Sequence, residues 1–146
     1  MHDLIPVLSW LLVIGGWAFV SRSIGRRERQ KEIRALLSEI RTLVLQIEEK
    51  AHSYLASAAL NSGNQAMVIK RDLKRLGGMV STLKQLNTKF DLSIELNEFR
   101  QIITGRDFES RERKERPYND AIFLEVSEAA VKLTSAMETM YADSYS

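Results

Sequence analysis

The chain has 146 residues, with 21 Lys and Arg against 19 Asp and Glu. That length suits one domain with a modest core, and a charge balance this even does not demand nucleic acid as a partner. The absence of cysteine excludes disulfides, thiolate metal sites and a cysteine nucleophile, and two prolines with seven glycines suit a mainly helical chain.

Leu4 to Val20 reads LIPVLSWLLVIGGWAFV and carries no charge. At the helical rise the run spans about 25 Å, just short of a typical ~30 Å hydrocarbon core. Ser21 and the stem of Arg22 extend it by snorkelling. A cleaved signal peptide would carry positive charge ahead of the run and small residues behind it. Here Met1, His2 and Asp3 lead, and Val20, Ser21 and Arg22 follow. A buried core helix is the other rival, against which Trp10 and Trp17 speak, because Trp favours the membrane–water interface. Ser9 and Gly16 lie on one side of this helix, where small residues let two copies approach closely.

Arg22, Arg26, Arg27 and Arg29 follow at once, then Lys31 and Arg34, whereas no Lys or Arg precedes the run. The positive-inside rule therefore predicts an N-terminus outside the cell (inner) membrane and a C-terminal domain in the cytoplasm. The four arginines are candidate contacts for anionic lipid head groups, each basic residue near such a surface contributing about 1 kcal/mol. The predicted organisation is a single transmembrane anchor over 1–21, a basic juxtamembrane segment over 22–34 and a cytoplasmic helical bundle over 35–146.

The first cytoplasmic helix is predicted from about Arg22 to Leu60. Its apolar positions, among them Ile33, Leu36, Ile40, Leu43, Ile47, Ala51 and Leu55, alternate at three and four residues, the rhythm of a coiled coil. Leu36, Ile40, Leu43 and Ile47 are the candidate self-association seam. Asn61, Ser62, Gly63 and Asn64 stop this helix, and Ser or Asn there suits a cap for the next.

A second helix is predicted over about Gln65–Leu86, with a stripe of Ala66, Ile69, Leu73, Leu76, Val80 and Leu83. Gly77 and Gly78 in its middle suggest a close helix crossing. Lys70, Arg71, Lys74 and Arg75 form one basic surface, the candidate site for an anion or a partner. No aromatic residue lies near them in sequence, which weighs against single-stranded nucleic acid.

A shorter third helix is predicted over about Leu92–Thr104, ended by Gly105. Arg106 to Pro117 is almost wholly polar apart from Phe108, and its pattern fits a solvated helix or a loop equally. A fourth helix is predicted over about Asn119–Tyr141, with Asn119 or Asp120 as cap. It is acidic where the second is basic, so these two are expected to lie side by side.

The fold class predicted is all-α: an N-terminal transmembrane helix continuing into an antiparallel bundle of three to four amphipathic helices. No phosphate-binding loop, dinucleotide fingerprint, HExxH or calcium loop occurs. His52 has Glu48 and Glu49 within a helical turn, but Glu49-x-x-His52 stands alone, where bundle metal sites use the motif twice with further carboxylates. No cofactor, metal site or catalytic residue is expected. The function these features suggest is a single-pass interaction or scaffold protein. Its bundle would form a homo-oligomer or dock another membrane-associated protein or cytosolic partner. The alternative is a ligand-triggered membrane effector that senses a phosphorylated messenger through the basic helix.

Overall fold

The computed structural model describes residues 4–59 and 62–146, with side chains from residue 24 onward apart from 60 and 61. Its helices are α1 (Leu4–Ala56), α2 (Gln65–Leu86), α3 (Ser93–Thr104) and α4 (Ala121–Tyr145). No strand occurs among the described residues. The chain is an all-helical bundle, as its patterning predicts. It divides into two compact units, Met1–Ala35 and Leu36–Ser146, with the boundary inside α1. Among the described residues no helix is long and apolar enough to cross a membrane. The side chains of Leu4–Val20, and with them the expected anchor, Trp10, Trp17, Ser9, Gly16 and Arg22, lie outside the described residues.

In the larger unit each helix turns one apolar stripe inward. α1 buries Ile40, Val44, Ile47 and Ala51, and α2 buries Ile69, Leu73, Leu76 and Leu83. α3 packs against α4, burying Phe99 and Ile103 from one and Val126, Ala130, Leu133 and Met137 from the other. Each large side chain removed from water in this way contributes about 1.5–3 kcal/mol, which none of the helices could gain alone.

Polar contacts join neighbouring helices at their edges. Lys50 Nζ donates to the buried carboxylate of Asp72 at 2.6 Å, joining α1 to α2. Ser127 Oγ donates to Glu48 Oε1 at 2.6 Å, and Arg41 pairs with Glu138, joining α1 to α4. Lys132 pairs with Glu98 at 2.5 Å between α4 and α3. The glutamate carboxylate beside Lys132 raises the pKa of that amine. No ion pair between α2 and α4 occurs among the described residues, and α4 packs on α3 instead, so the charge complementarity that led to the expected neighbouring of the basic and acidic helices is not used. An exposed ion pair is worth about 0–1 kcal/mol, too little to choose neighbours against the burial of whole apolar faces.

The helix ends carry two more corrections. Asp120 caps α4 as expected, its carboxylate accepting from the Ile122 N–H at 3.0 Å. That bond holds the carboxyl below its ordinary pKa, helped by Arg116. Asn64 precedes α2 but makes no side-chain cap. Gly77 and Gly78 face open space, with nothing within 4 Å of an added Cβ, so no close crossing explains them.

Candidate functional site

The polar stretch after α3 is held by hydrogen bonds to the end of α1. It is not a helix but a folded loop. The Arg116 N–H donates to the Leu55 carbonyl at 3.1 Å, and the Arg113 carbonyl accepts from the Ala59 N–H at 3.2 Å. Arg113 itself is buried, which is costly for a charge unless its donors are satisfied, and both terminal nitrogens are, while Nε has no partner among the described residues. Its guanidinium donates to the carbonyls of Tyr54 and Ser57 at 2.7 Å each and to Ser62 Oγ at 2.6 Å. It also lies 3.9 Å from the centre of the Tyr54 ring. No basic residue occupies the last turn of α1. Arg113 supplies that cation from afar, against the negative end of the helix dipole and its last carbonyls. Arg116 bridges Asp107 at 2.7 Å and Asp120 at 3.3 Å. The hydrogen bond that it donates to Asp107, and secondarily the one to Asp120, raises the pKa of its guanidinium.

Two non-glycine residues of this loop, Arg106 and Glu109, adopt positive φ of 55° and 63°. Such a conformation costs about 1–2 kcal/mol for a residue with a Cβ. Neighbouring contacts hold both in place. Arg106 pairs with Glu125 at 2.9 Å, and the Glu109 N–H donates to the Tyr54 hydroxyl at 3.1 Å. The turn brings Phe108 against Tyr54, with ring centroids 5.0 Å apart, and carries Glu109 to α2, where it meets Lys70 Nζ at 3.2 and 3.3 Å.

An open groove of about 720 Å³ results. Lys70, Arg71, Leu73 and Lys74 of α2 form one wall, Arg100 and Thr104 of α3 the other, and Phe108 and Glu109 close one end. Three of the four basic residues expected to act together do line one groove; Arg75 is exposed and lies outside it. Arg100, Thr104 and Phe108 are members that sequence reading misses. Phe108, distant in sequence, brings an aromatic ring to the basic helix. Its signal was present: it is the lone apolar residue of a charged run, and such a residue is kept there only if it packs on something.

The other expected sites fare differently. Arg26, Arg27 and Arg29 are exposed on α1, within the smaller unit. Ile40, Leu43 and Ile47 are buried by the chain itself and Leu36 is partly covered. The predicted seam is therefore core, and pairing through it would require the bundle to open. His52 hydrogen-bonds across to α4 and not to Glu48 or Glu49 beside it on α1. Its Nε2 lies 3.1 Å from the Phe123 carbonyl and 3.4 Å from Ser127 Oγ. A carbonyl only accepts, so Nε2 is the donor and has no lone pair for the serine. Ser127, which donates to Glu48, is thus not activated as a nucleophile. No cluster of three metal-ligating side chains occurs among the described residues.

No protein-family model, curated protein or solved structure matches the chain.

Proposed function

We propose that this is a membrane-tethered interaction protein: residues 1–21 anchor the chain, 22–34 meet anionic head groups, and the bundle docks a partner on the cytoplasmic side. The observation that carries this reading is the uncharged run Leu4–Val20 followed directly by a basic cluster. The exposure of Arg26, Arg27 and Arg29 supports it, because head-group contact requires cations free to reach phosphates. The burial of Ile40, Leu43 and Ile47 shifts the interacting surface from the heptad stripe to the outside of the bundle. Any self-association then rests on the anchor itself. A fusion of a reporter enzyme after Ser146 tests the topology. Activity of a cytoplasm-dependent reporter supports the reading, and activity of a reporter that works only outside the cytoplasm contradicts it.

A second reading, a ligand-triggered membrane effector, is favoured by one observation, the basic groove between α2 and α3. Its mark is toxicity on overexpression that needs residues 1–21 and disappears when Lys70, Arg71 and Lys74 are neutralised.

A further inference from the structure

We infer that the groove between α2 and α3 binds a phosphorylated small molecule that carries a flat ring, of which a nucleoside diphosphate is the simplest case. The inference concerns Leu36–Ser146 alone and stands whether or not the first twenty residues lie in lipid.

Charge comes first. Lys70, Arg71, Lys74 and Arg100 converge on the groove, and Glu109 is the one carboxylate on its walls. Glu109 is engaged by Lys70, and Lys74 and Arg100 make no ion pair among the described residues. Unpaired cations brought to one groove repel one another, and phosphate oxygens are the groups that relieve this best. Arginine offers a planar fork to a phosphate, and lysine a mobile point charge; the groove has both. Thr104 adds a hydroxyl on the Arg100 side.

Size and shape come next. The groove volume of about 720 Å³ falls within the range of about 300–1,000 Å³ typical of small-molecule sites. Leu73 and Phe108 supply its apolar part. The Phe108 ring is held against Tyr54 yet only partly covered, so a flat ring can stack on it. A bare phosphate would leave this end of the groove unused.

Glu109 completes the arrangement. Its carboxylate occupies Lys70 at 3.2 Å, where a ligand phosphate would bind. It is a built-in competitor, which an incoming phosphate must displace. Removing its charge should tighten binding, whereas removing any groove cation should weaken it.

A lipid phosphate offers part of the same chemistry without the ring, so the experiment separates the sources. The full chain, held in phosphatidylcholine nanodiscs at about 0.15 M salt, where surface charges are screened beyond about 8 Å, is titrated calorimetrically. The probes are ADP, GDP, CDP, UDP, pyrophosphate, adenosine, guanosine, a short single-stranded RNA, and vesicles of phosphatidylcholine with phosphatidylinositol 4-phosphate. At least one nucleoside diphosphate is expected to bind with Kd under about 100 μM, and pyrophosphate about tenfold more weakly. The nucleosides are not expected to bind. Lys74→Gln and Arg100→Gln should each weaken binding about tenfold and Glu109→Gln should tighten it, with helicity unchanged. Arg75→Gln removes the same charge from α2 outside the groove and should leave Kd within about twofold. Failure of all four diphosphates to bind overturns the inference. So does pyrophosphate binding as tightly as they do, RNA or vesicles binding in their place, or Arg75→Gln weakening binding as much as Lys74→Gln.

Discussion

Arg113 donates to the Tyr54 carbonyl at 2.7 Å from a position 59 residues further along the chain. The same guanidinium covers the Tyr54 ring. One side chain thus ends α1, secures the far end of the α1–α2 connection through Ser62, and fixes the loop that carries Phe108 and Glu109. Arg113→Met leaves two carbonyls and a hydroxyl without their donor. Hydrogen bonds to a charged donor are worth about 1.5–3 kcal/mol each, and partial solvation returns some of the loss, so about 3 kcal/mol of stability should disappear. Arg113→Lys should recover less than half, because an ammonium cannot span three acceptors set out for a planar fork. Urea denaturation monitored by helicity measures both.

Gly78 and Gly105 should respond to alanine with opposite signs. Gly78 sits in mid-helix with open space where a Cβ would be. Gly78→Ala is expected to raise stability by about 1 kcal/mol through helix propensity and a less flexible unfolded chain. At Gly105 the added Cβ would stand 2.5 Å from the Gln101 carbonyl oxygen. Gly105→Ala should lower stability by about 1–3 kcal/mol and disturb the loop after α3, since backbone must move. Thermal denaturation of the two variants beside the parent gives the comparison directly.

The buried stripe of α1 makes a third prediction. Ile40→Ala and Ile47→Ala each create a cavity under a fully covered side chain and should cost about 2–5 kcal/mol. Variants that remain folded should keep the oligomeric state of the parent, measured by light scattering in detergent. A heptad seam between copies would instead lose its assembly while the bundle stayed folded.

Acid should weaken the connection between α2 and α3. The hydroxyl and N–H of Ser93 and the ammonium of Lys84 hold Asp91 at about 2, well below the ordinary carboxylate value of 3.8. The folded state therefore binds this proton less readily than the unfolded chain does. Stability from Asp91 is complete above the unfolded pKa and is lost as pH falls from about 4 to about 2. Asp91→Asn should be less stable than the parent at neutral pH, with the gap closing toward pH 2. A gap that is constant over this window would show that the ion pair and turn contribute nothing through the charge.

Much of the fold was legible because each helix has one apolar side. The periodicity of Ile69, Leu73, Leu76 and Leu83, or of Val126, Leu133 and Met137, marks faces that must be covered, and those faces form the core. What such a pattern cannot say is what covers them. The stripe of Ile40, Leu43 and Ile47 has the same rhythm whether its partner is a second copy or the rest of the chain. Helix adjacency was misread for a related reason: summed charge on α2 and α4 is a weak surface term, and the apolar faces decided the matter. Of the groove, sequence gave Lys70, Arg71 and Lys74, which are neighbours on one helix. Arg100 reaches it only through the placing of α3, and Phe108 only through a loop whose anchor, Arg113, reads as one more charge in a charged run.

The proposed membrane attachment through the first twenty residues governs where the bundle can act. Extraction of washed cell membranes with alkaline carbonate tests it most directly, because integral proteins stay in the pellet and peripheral ones are released. The full chain is predicted to remain with the membrane and a chain lacking residues 1–21 to be released. Release of the full chain into the carbonate supernatant would contradict the account.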